Sequence, residues 1–285
     1  MKKNLSERSM QIVFLVCALI SIFAVLLICY FVFVNGYPAF HEVGPKNFLF
    51  GRTWNPDADQ YGIFPMIVGS LYVTAGAIVI GVPIGIFSAV YLSFYAGKRI
   101  LKIVEPAVEL LAGIPSIVYG FFGLVVIVPL LQKANNNSGK GILTASILLG
   151  LMILPTIIST TESSLNAVDP SNLNGSLALG ATKERSIFHA VFPAAKSGIL
   201  SGIILGIGRA IGETMAVIMV CGNQAIMPES ITSGVRTMTS NIVLEMGYAS
   251  GLHREALITT SAVLFVFILF FNLCFSALNR KKAES

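Results

Sequence analysis

Six stretches of the chain run with no charge or almost none: residues 11–34, 62–95, 106–131, 141–161, 198–221 and 256–278. Each reaches the roughly 20 apolar residues that a helix needs to cross a bilayer. The second is longer than a bilayer requires, which predicts a tilt, a break or a part lying outside the hydrocarbon. The third carries Glu109 near its start. The pattern predicts an all-α polytopic membrane protein with six transmembrane helices. Residues 1–61 hold the first helix and the loop that follows it. Residues 62–285 hold the main transmembrane domain, interrupted by a long polar loop at about 162–197.

Lys2, Lys3 and Arg8 precede the first stretch, as in a secretory signal. Its uncharged run exceeds the 7–15 residues of a signal-peptide core, and no small-residue cleavage site follows cleanly. It reads as an uncleaved signal-anchor helix, with a cleaved signal peptide as the alternative.

Composition agrees with this class. The chain is 55% hydrophobic and 12% charged, against about 25% charged in a typical soluble domain, which excludes an ordinary globular enzyme. Six spans place both termini on one side. With the N-terminus inside, the inner segments hold 12 of the 19 Lys and Arg residues and the outer loops hold 6, Arg209 being the remaining one. The positive-inside rule therefore places both ends in the cytoplasm. The net charge of +5 is sorted by membrane side and gives no reason to expect nucleic acid. Cys17, Cys29, Cys221 and Cys274 fall within or at the ends of apolar stretches without a CxxC pair, as small hydrophobes do. His41, His189 and His253 are scattered through predicted loops at no metal-ligand spacing, so no metal site is expected.

Arg209 and Glu213 interrupt the fifth stretch. An ionised side chain at mid-membrane costs at least about 2.5–3.5 kcal/mol and marks a functional site by default. On a continuous helix the two lie one turn apart on one face and neutralise each other. The matching ligand is an anion that competes with Glu213 for Arg209, whose planar fork grips phosphate oxygens bidentately. A purely structural ion pair locking two helices is the alternative. Thr214 and Asn223 are further candidates for lining the path. Gly198, Gly202 and Gly206 form successive GxxxG steps, and Gly208 and Gly212 form another; such spacing lets helices approach closely in lipid. At 100° per residue, Gly198 and Gly202 fall roughly 20° from Arg209 around the axis. Glycines and charges are therefore expected on one face, with Arg209 near the midplane.

The polar loop has its own punctuation. Asp169-Pro170-Ser171 is a helix start, Leu173, Leu177 and Ala178 recur at helical spacing, and Gly180 ends the helix. Residues 186–191 form a second short helix before Pro193. Two short helices split by a glycine make a compact knob. The chain has no ATP site of its own. Gly175 and Gly180 approach the phosphate-loop spacing, but Ala181 stands where the Lys is required. The glycines at 206, 208 and 212 are out of register for a dinucleotide fingerprint.

The knob's spacing resembles the EAA loop of ATP-binding-cassette importer permeases. Gly180 and Pro193 match in register and Phe192 stands in for the Leu before the Pro. Asn174, Gly175 and Ser176 replace Glu-Ala-Ala, and Ala190 holds an aliphatic position. Residues 206–217, Gly-Ile-Gly-Arg-Ala-Ile-Gly-Glu-Thr-Met-Ala-Val, resemble the hallmark helix of the PstC family of phosphate-transport permeases. So do 112–123, Ala-Gly-Ile-Pro-Ser-Ile-Val-Tyr-Gly-Phe-Phe-Gly, together with Ile-Leu-Pro-Thr-Ile at 153–157 and Ser-Leu-Ala-Leu-Gly-Ala-Thr-Lys at 176–183.

That resemblance implies a type I ABC importer permease in a bacterial or archaeal cell (inner) membrane, surrounded by membrane lipid. It implies a heterodimer with a PstA-like sister permease, two copies of a PstB-like ATPase holding ATP and Mg, and a PstS-like binding protein delivering phosphate. This chain would bind no cofactor. Ser176, Leu177, Ala178, Leu179, Gly180, Ala181, Thr182 and Lys183 would contact the ATPase. Arg209 would give phosphate a transient counter-charge, and Glu213 would hold Arg209 when the path is empty. A permease for another oxyanion (molybdate, sulfate or a phosphonate) is the near alternative. An ion-coupled secondary transporter with Glu213 as proton carrier is a more distant one. No Ser–His, paired-Asp or HExxH constellation supports an intramembrane enzyme.

Overall fold

The computed structural model describes residues 2–283. Its helices are α1 (Lys2–Val43), α2 (Pro45–Phe50), α3 (Phe64–Phe94), α4 (Lys98–Gly113), α5 (Ser116–Phe122), α6 (Val128–Asn135) and α7 (Ile142–Asn166). They continue as α8 (Pro170–Ala178), α9 (Lys183–Ser186), α10 (Phe192–Ala194), α11 (Lys196–Gly212), α12 (Met215–Val220), α13 (Met238–Glu245) and α14 (Gly251–Ala283). Wider π-type turns at 123–127 and 187–191 join α5 to α6 and α9 to α10. A two-residue antiparallel pair, β1 (Trp54–Asn55) and β2 (Gln60–Tyr61), closes the loop after α2.

Among the described residues, five helical stretches are long and apolar enough to cross a membrane: Glu7–Val43, Phe64–Phe94, Ser116–Ala134, Ile142–Asn166 and Gly251–Cys274. The remaining span is α11 continued by α12. The element before it bends away by 73° at Ala195, so α9 and α10 lie across the base of α11 and are not part of the crossing.

Small residues set the packing and reveal the direction of each span. A Cβ on Gly76 would strike Ser146, one on Gly81 would strike Ile153, and one on Gly85 would strike Ile157. The numbers rise together, so α3 and α7 run parallel, as alternate spans of a six-pass chain must. Gly198, Gly202 and Gly206 meet Ser164, Thr160 and Ile157; here one series falls as the other rises, so α11 runs antiparallel to α7. α1 and α14 are likewise antiparallel: Gly36 packs on Thr259, whose hydroxyl donates to the Gly36 carbonyl at 2.6 Å, and Phe33 meets Phe265 edge-on. The core lies between α3, α5, α7 and α12, around Val73, Leu148, Met152, Ile153 and Val217. From Glu7 to Val34 the side chains of α1 are almost all exposed, Phe23 and Leu26 among them, which is the surface of a helix solvated by lipid.

Three expectations change. The long second stretch is not broken: α3 continues for 31 residues through Pro83, about 46 Å at 1.5 Å per residue. Its excess over a hydrocarbon core of about 30 Å is taken up by tilt or protrusion. The third stretch is two elements. α4 stops at Gly113 and Ile114 adopts ψ 127, because Pro115 disfavours helical geometry in the residue before it. Glu109 therefore sits on α4, outside the span that starts at Ser116. One side of α4 packs Leu101, Val104 and Val108 onto Ala89, Leu92 and Ile158. The histidines are in helical segments: His41 ends α1, His189 lies in the second π-type turn and His253 is in the first turn of α14.

Candidate functional site

α11 forms because residues 196–212 are apolar and lack Pro, and it docks because Gly198, Gly202 and Gly206 remove the side chains between it and α7. These three glycines do what the sequence predicts. Gly208 and Gly212 do not: a Cβ at either would meet nothing within 4 Å. With Leu205, which is exposed, they form a second face of α11 that has room for added side chains among the described residues.

The helix ends at Gly212. Glu213 is extended (φ −68°, ψ 132°) and α12 begins after Thr214. No proline lies there; local bonds accompany the break. The Glu213 N–H reaches the Ala210 carbonyl at 3.4 Å, a tightened last turn, and the Thr214 hydroxyl donates to Gly212 O at 3.2 Å. The Glu213 carboxylate accepts from the Ala216 N–H at 3.2 Å, which caps the first turn of α12.

This overturns the expected ion pair. Arg209 and Glu213 do not share one helical face, and among the described residues no carboxylate lies within ion-pair distance of Arg209. Each charge sits instead where a helix dipole favours it. Arg209 is in the last turn of α11, against unpaired carbonyls, and Glu213 is at the start of α12, against unpaired amides. Arg209 is half-buried and within electrostatic reach of Tyr119 on α5. The Tyr119 hydroxyl itself donates to Leu111 O at 2.9 Å. α5 closes on α12 through Gly120, where a Cβ would meet Ala216 and Met219, and through Gly123, which faces Val220 and Leu148. Gly120 and Gly123 thus wedge the broken end of the fifth span against the third.

Thr214 belongs to the break and is half-buried. Asn223 does not line it. At φ 53° it turns the chain out of α12, accepting from the Cys221 thiol at 2.9 Å and donating to Ile218 O at 2.8 Å. Its carbonyl is taken by Arg236 at 3.0 Å. Asn223 thus caps the C-terminal end of α12.

Sequence reasoning missed two elements. α13 packs beside the break, and the Thr239 hydroxyl donates to the Glu213 carbonyl at 3.0 Å. At its other end the buried Glu245 collects three donors: Trp54 Nε1–H at 2.8 Å, His253 Nε2 at 2.8 Å, and Arg236. Arg236 also donates to Asn241 at 2.9 Å. The fixed points are far apart in sequence, and no local pattern at 54–61 or 236–253 joins them.

The knob is built as expected. The Asp169 carboxylate caps α8 by accepting from the Ser171 N–H at 2.8 Å, which holds its carboxyl below the ordinary carboxylate range. Gly180 (φ 86°) ends α8: the Gly180 N–H bonds Leu177 O at 2.9 Å and the Ala181 N–H bonds Ser176 O at 3.2 Å, a Schellman closure. Thr182 then caps α9, so the second helix starts three residues earlier than predicted. Ile187 and Val191 bury themselves against Val90, Leu165 and Ile199, and Leu173 packs on the same cluster. Leu179 is 90% exposed at the tip. The Lys183 ammonium donates to Phe94 O and lies 4.5 Å from the Tyr95 ring centroid, tying the knob to the end of α3.

Residues 81–283 match the family described as binding-protein-dependent transport system inner membrane component. The probable ABC transporter permease protein YqgH of Bacillus subtilis is 38% identical over 87% of this chain and 82% of its own length. The phosphate transport system permease protein PstC of Pasteurella multocida is 35% identical over 77% and 75%. Among solved structures, a bacterial alginate ABC transporter in complex with an alginate pentasaccharide-bound periplasmic protein superposes with a TM-score of 0.65 at 15% identity, covering 93% of each chain. The inward-facing MetNI methionine ABC transporter gives 0.61 at 18% identity, over 81% of this chain and 99% of that one. At such identities the two structures share the fold alone. A six-span bundle, a capped knob between its fourth and fifth spans, and a family match across most of the chain together show that it belongs to the inner membrane components of binding-protein-dependent transport systems, the permease subunits of ABC importers.

Proposed function

We propose that this chain is one of two permeases lining the path of an ATP-driven importer of inorganic phosphate. The observation that carries the substrate is Arg209: a guanidinium in a membrane span, without a carboxylate partner in the described chain, beside the open face of Leu205, Gly208 and Gly212. The names of relatives such as the PstC of Pasteurella multocida favour phosphate among the oxyanions that such a group suits. A PstA-like sister permease covers the open face, and a PstS-like protein delivers phosphate to the end of the bundle that carries α13. Both termini and the knob face the cytoplasm, in keeping with the bias of Lys and Arg to that side.

The knob takes its push from a PstB-like ATPase dimer, which holds the ATP and Mg. Leu179 at the tip enters the ATPase, and α8 and α9 move as one piece. The motion passes to α3 through Lys183 and to α11 through the 73° elbow at Ala195. Alternating access then repositions the α11–α12 break between the two sides. Arg209 lends the crossing anion a counter-charge. Glu213 caps α12 and so leaves Arg209 available, while its own negative charge keeps anion binding weak enough for release.

Reconstitution tests this reading. The chain is placed in proteoliposomes with the sister permease and ATPase, and uptake of radiolabelled phosphate from loaded binding protein is followed with and without ATP. ATP-dependent uptake is expected. ATP hydrolysis with no phosphate movement, but movement of molybdate, sulfate or a phosphonate, transfers the reading to that oxyanion. Uptake by this chain alone without ATP, governed by pH, overturns it in favour of an ion-coupled transporter.

A further inference from the structure

The break at 213–214 needs an explanation, because nothing in the local sequence forbids a continuous helix. Gly212 weakens one by about 1 kcal/mol relative to Ala, yet Glu213, Thr214, Met215 and Ala216 are all compatible with helix. If the helix ran on, the Val217 N–H would bond the Glu213 carbonyl, since each amide pairs four residues back. Glu213 would then rise one turn above Arg209 and pair with it. In the structure the Glu213 carbonyl is bonded by Thr239 instead, at 3.0 Å, from an element 26 residues away.

Thr239 is well placed to hold that bond. It is 6% exposed and its oxygen lies 2.9 Å from that of Thr237, which accepts from Ser240 N–H and so caps α13. The Met238 N–H is fixed by Ser70 of α3 at 3.0 Å. The far end of α13 is fixed by Glu245, through Trp54, Arg236 and His253. α13 is therefore a strut anchored at both ends, with one hydroxyl reaching the break.

We propose that Thr239 is a positioning residue: by holding the Glu213 carbonyl it keeps α11 and α12 apart and so prevents Glu213 from neutralising Arg209. This rests on the reading of Arg209 as the anion's counter-charge. Without the Thr239 bond, the Glu213 carbonyl returns to the helix ladder, the two helices fuse and the Arg209–Glu213 ion pair forms.

The test uses the whole transporter with Thr239→Val, which keeps the shape and removes the donor, and Thr239→Ser, which restores it. Two readouts are taken on each. The first is hydrogen exchange at the amides of Glu213 and Thr214, which needs no transport. Thr239→Val is expected to slow it as those amides join a continuous helix, Thr239→Ser to match the unmodified protein, and Arg209→Gln added to Thr239→Val to reverse the slowing. The second readout is phosphate moved per ATP hydrolysed. It is expected to fall about fivefold in Thr239→Val, the factor one net hydrogen bond supports, and to recover in Thr239→Ser. Unchanged or faster exchange at Glu213 and Thr214 in Thr239→Val overturns the proposal whatever the transport result. Slowed exchange in a transporter whose unmodified form moves no phosphate retains the positioning role and rejects the phosphate reading alone.

Discussion

At the scale of single residues, helix ends decide what the charges do. Arg209 and Glu213 four apart in an apolar run read as an ion pair, and the residues themselves are visible in the sequence at once. Their separation is not, because the bonds that break the helix come from Glu213's own carboxylate turning to Ala216 and from Thr239 in a distant element. Glu245 shows the same limit, since its Trp54 donor lies 191 residues away. Its carboxylate is 8% exposed and shared by Arg236 and His253, so Glu245→Ala leaves the half-buried Arg236 with Asn223 and Asn241 as its acceptors and no carboxylate. The expected cost is about 1–3 kcal/mol, seen as a lowered thermal midpoint in detergent. A midpoint within a degree of the unmodified protein would mean that the cluster is not holding α13.

Among elements, glycine spacing is the most legible feature and also the most ambiguous. Gly198, Gly202 and Gly206 and their neighbours Gly208 and Gly212 share one motif in sequence but face different surroundings, because the helix turns some toward α7 and others away. Gly198→Val places carbon against the Ser164 hydroxyl. It is expected to destabilise the bundle by about 1–3 kcal/mol, the usual cost of overpacking. Gly208→Ala meets nothing and is expected to leave the thermal midpoint unchanged or slightly raised; a large loss there would show that the open face is packed. The knob's start and stop were readable because capping is local: Asp169, Gly180 and Pro193 act within a few residues of themselves. Its pH response follows from the same cap. The Asp169 carboxyl is held low by the Ser171 N–H, so its contribution is complete above the ordinary Asp pKa of about 3.9 and fades as pH falls through the lower folded value. Hydrogen exchange across α8 should quicken only in acid, and Asp169→Asn, an equal cap, should remove that dependence. Quickening near neutral pH would contradict it.

For the whole molecule, the six apolar runs anticipated the bundle; Pro115 is a visible cause for the interruption of the third run, while nothing local marks the one in the fifth. Both interruptions lie where those spans meet: Pro115 ends one helix before α5, and α5 packs through Gly120 on α12 just past the other. The knob is tied to the bundle through Lys183 and the elbow at Ala195. Leu179→Asp, at the exposed tip, is expected to leave the bundle folded while weakening retention of the ATPase at least tenfold in co-purification; full retention would place the contact elsewhere. The most direct test of the account is phosphate uptake by reconstituted complexes carrying Arg209→Gln, with ATP hydrolysis and subunit assembly followed in the same liposomes. Loss of uptake in a complex that still assembles and hydrolyses ATP is the predicted result. Uptake equal to that of the unmodified complex would contradict the role assigned to Arg209.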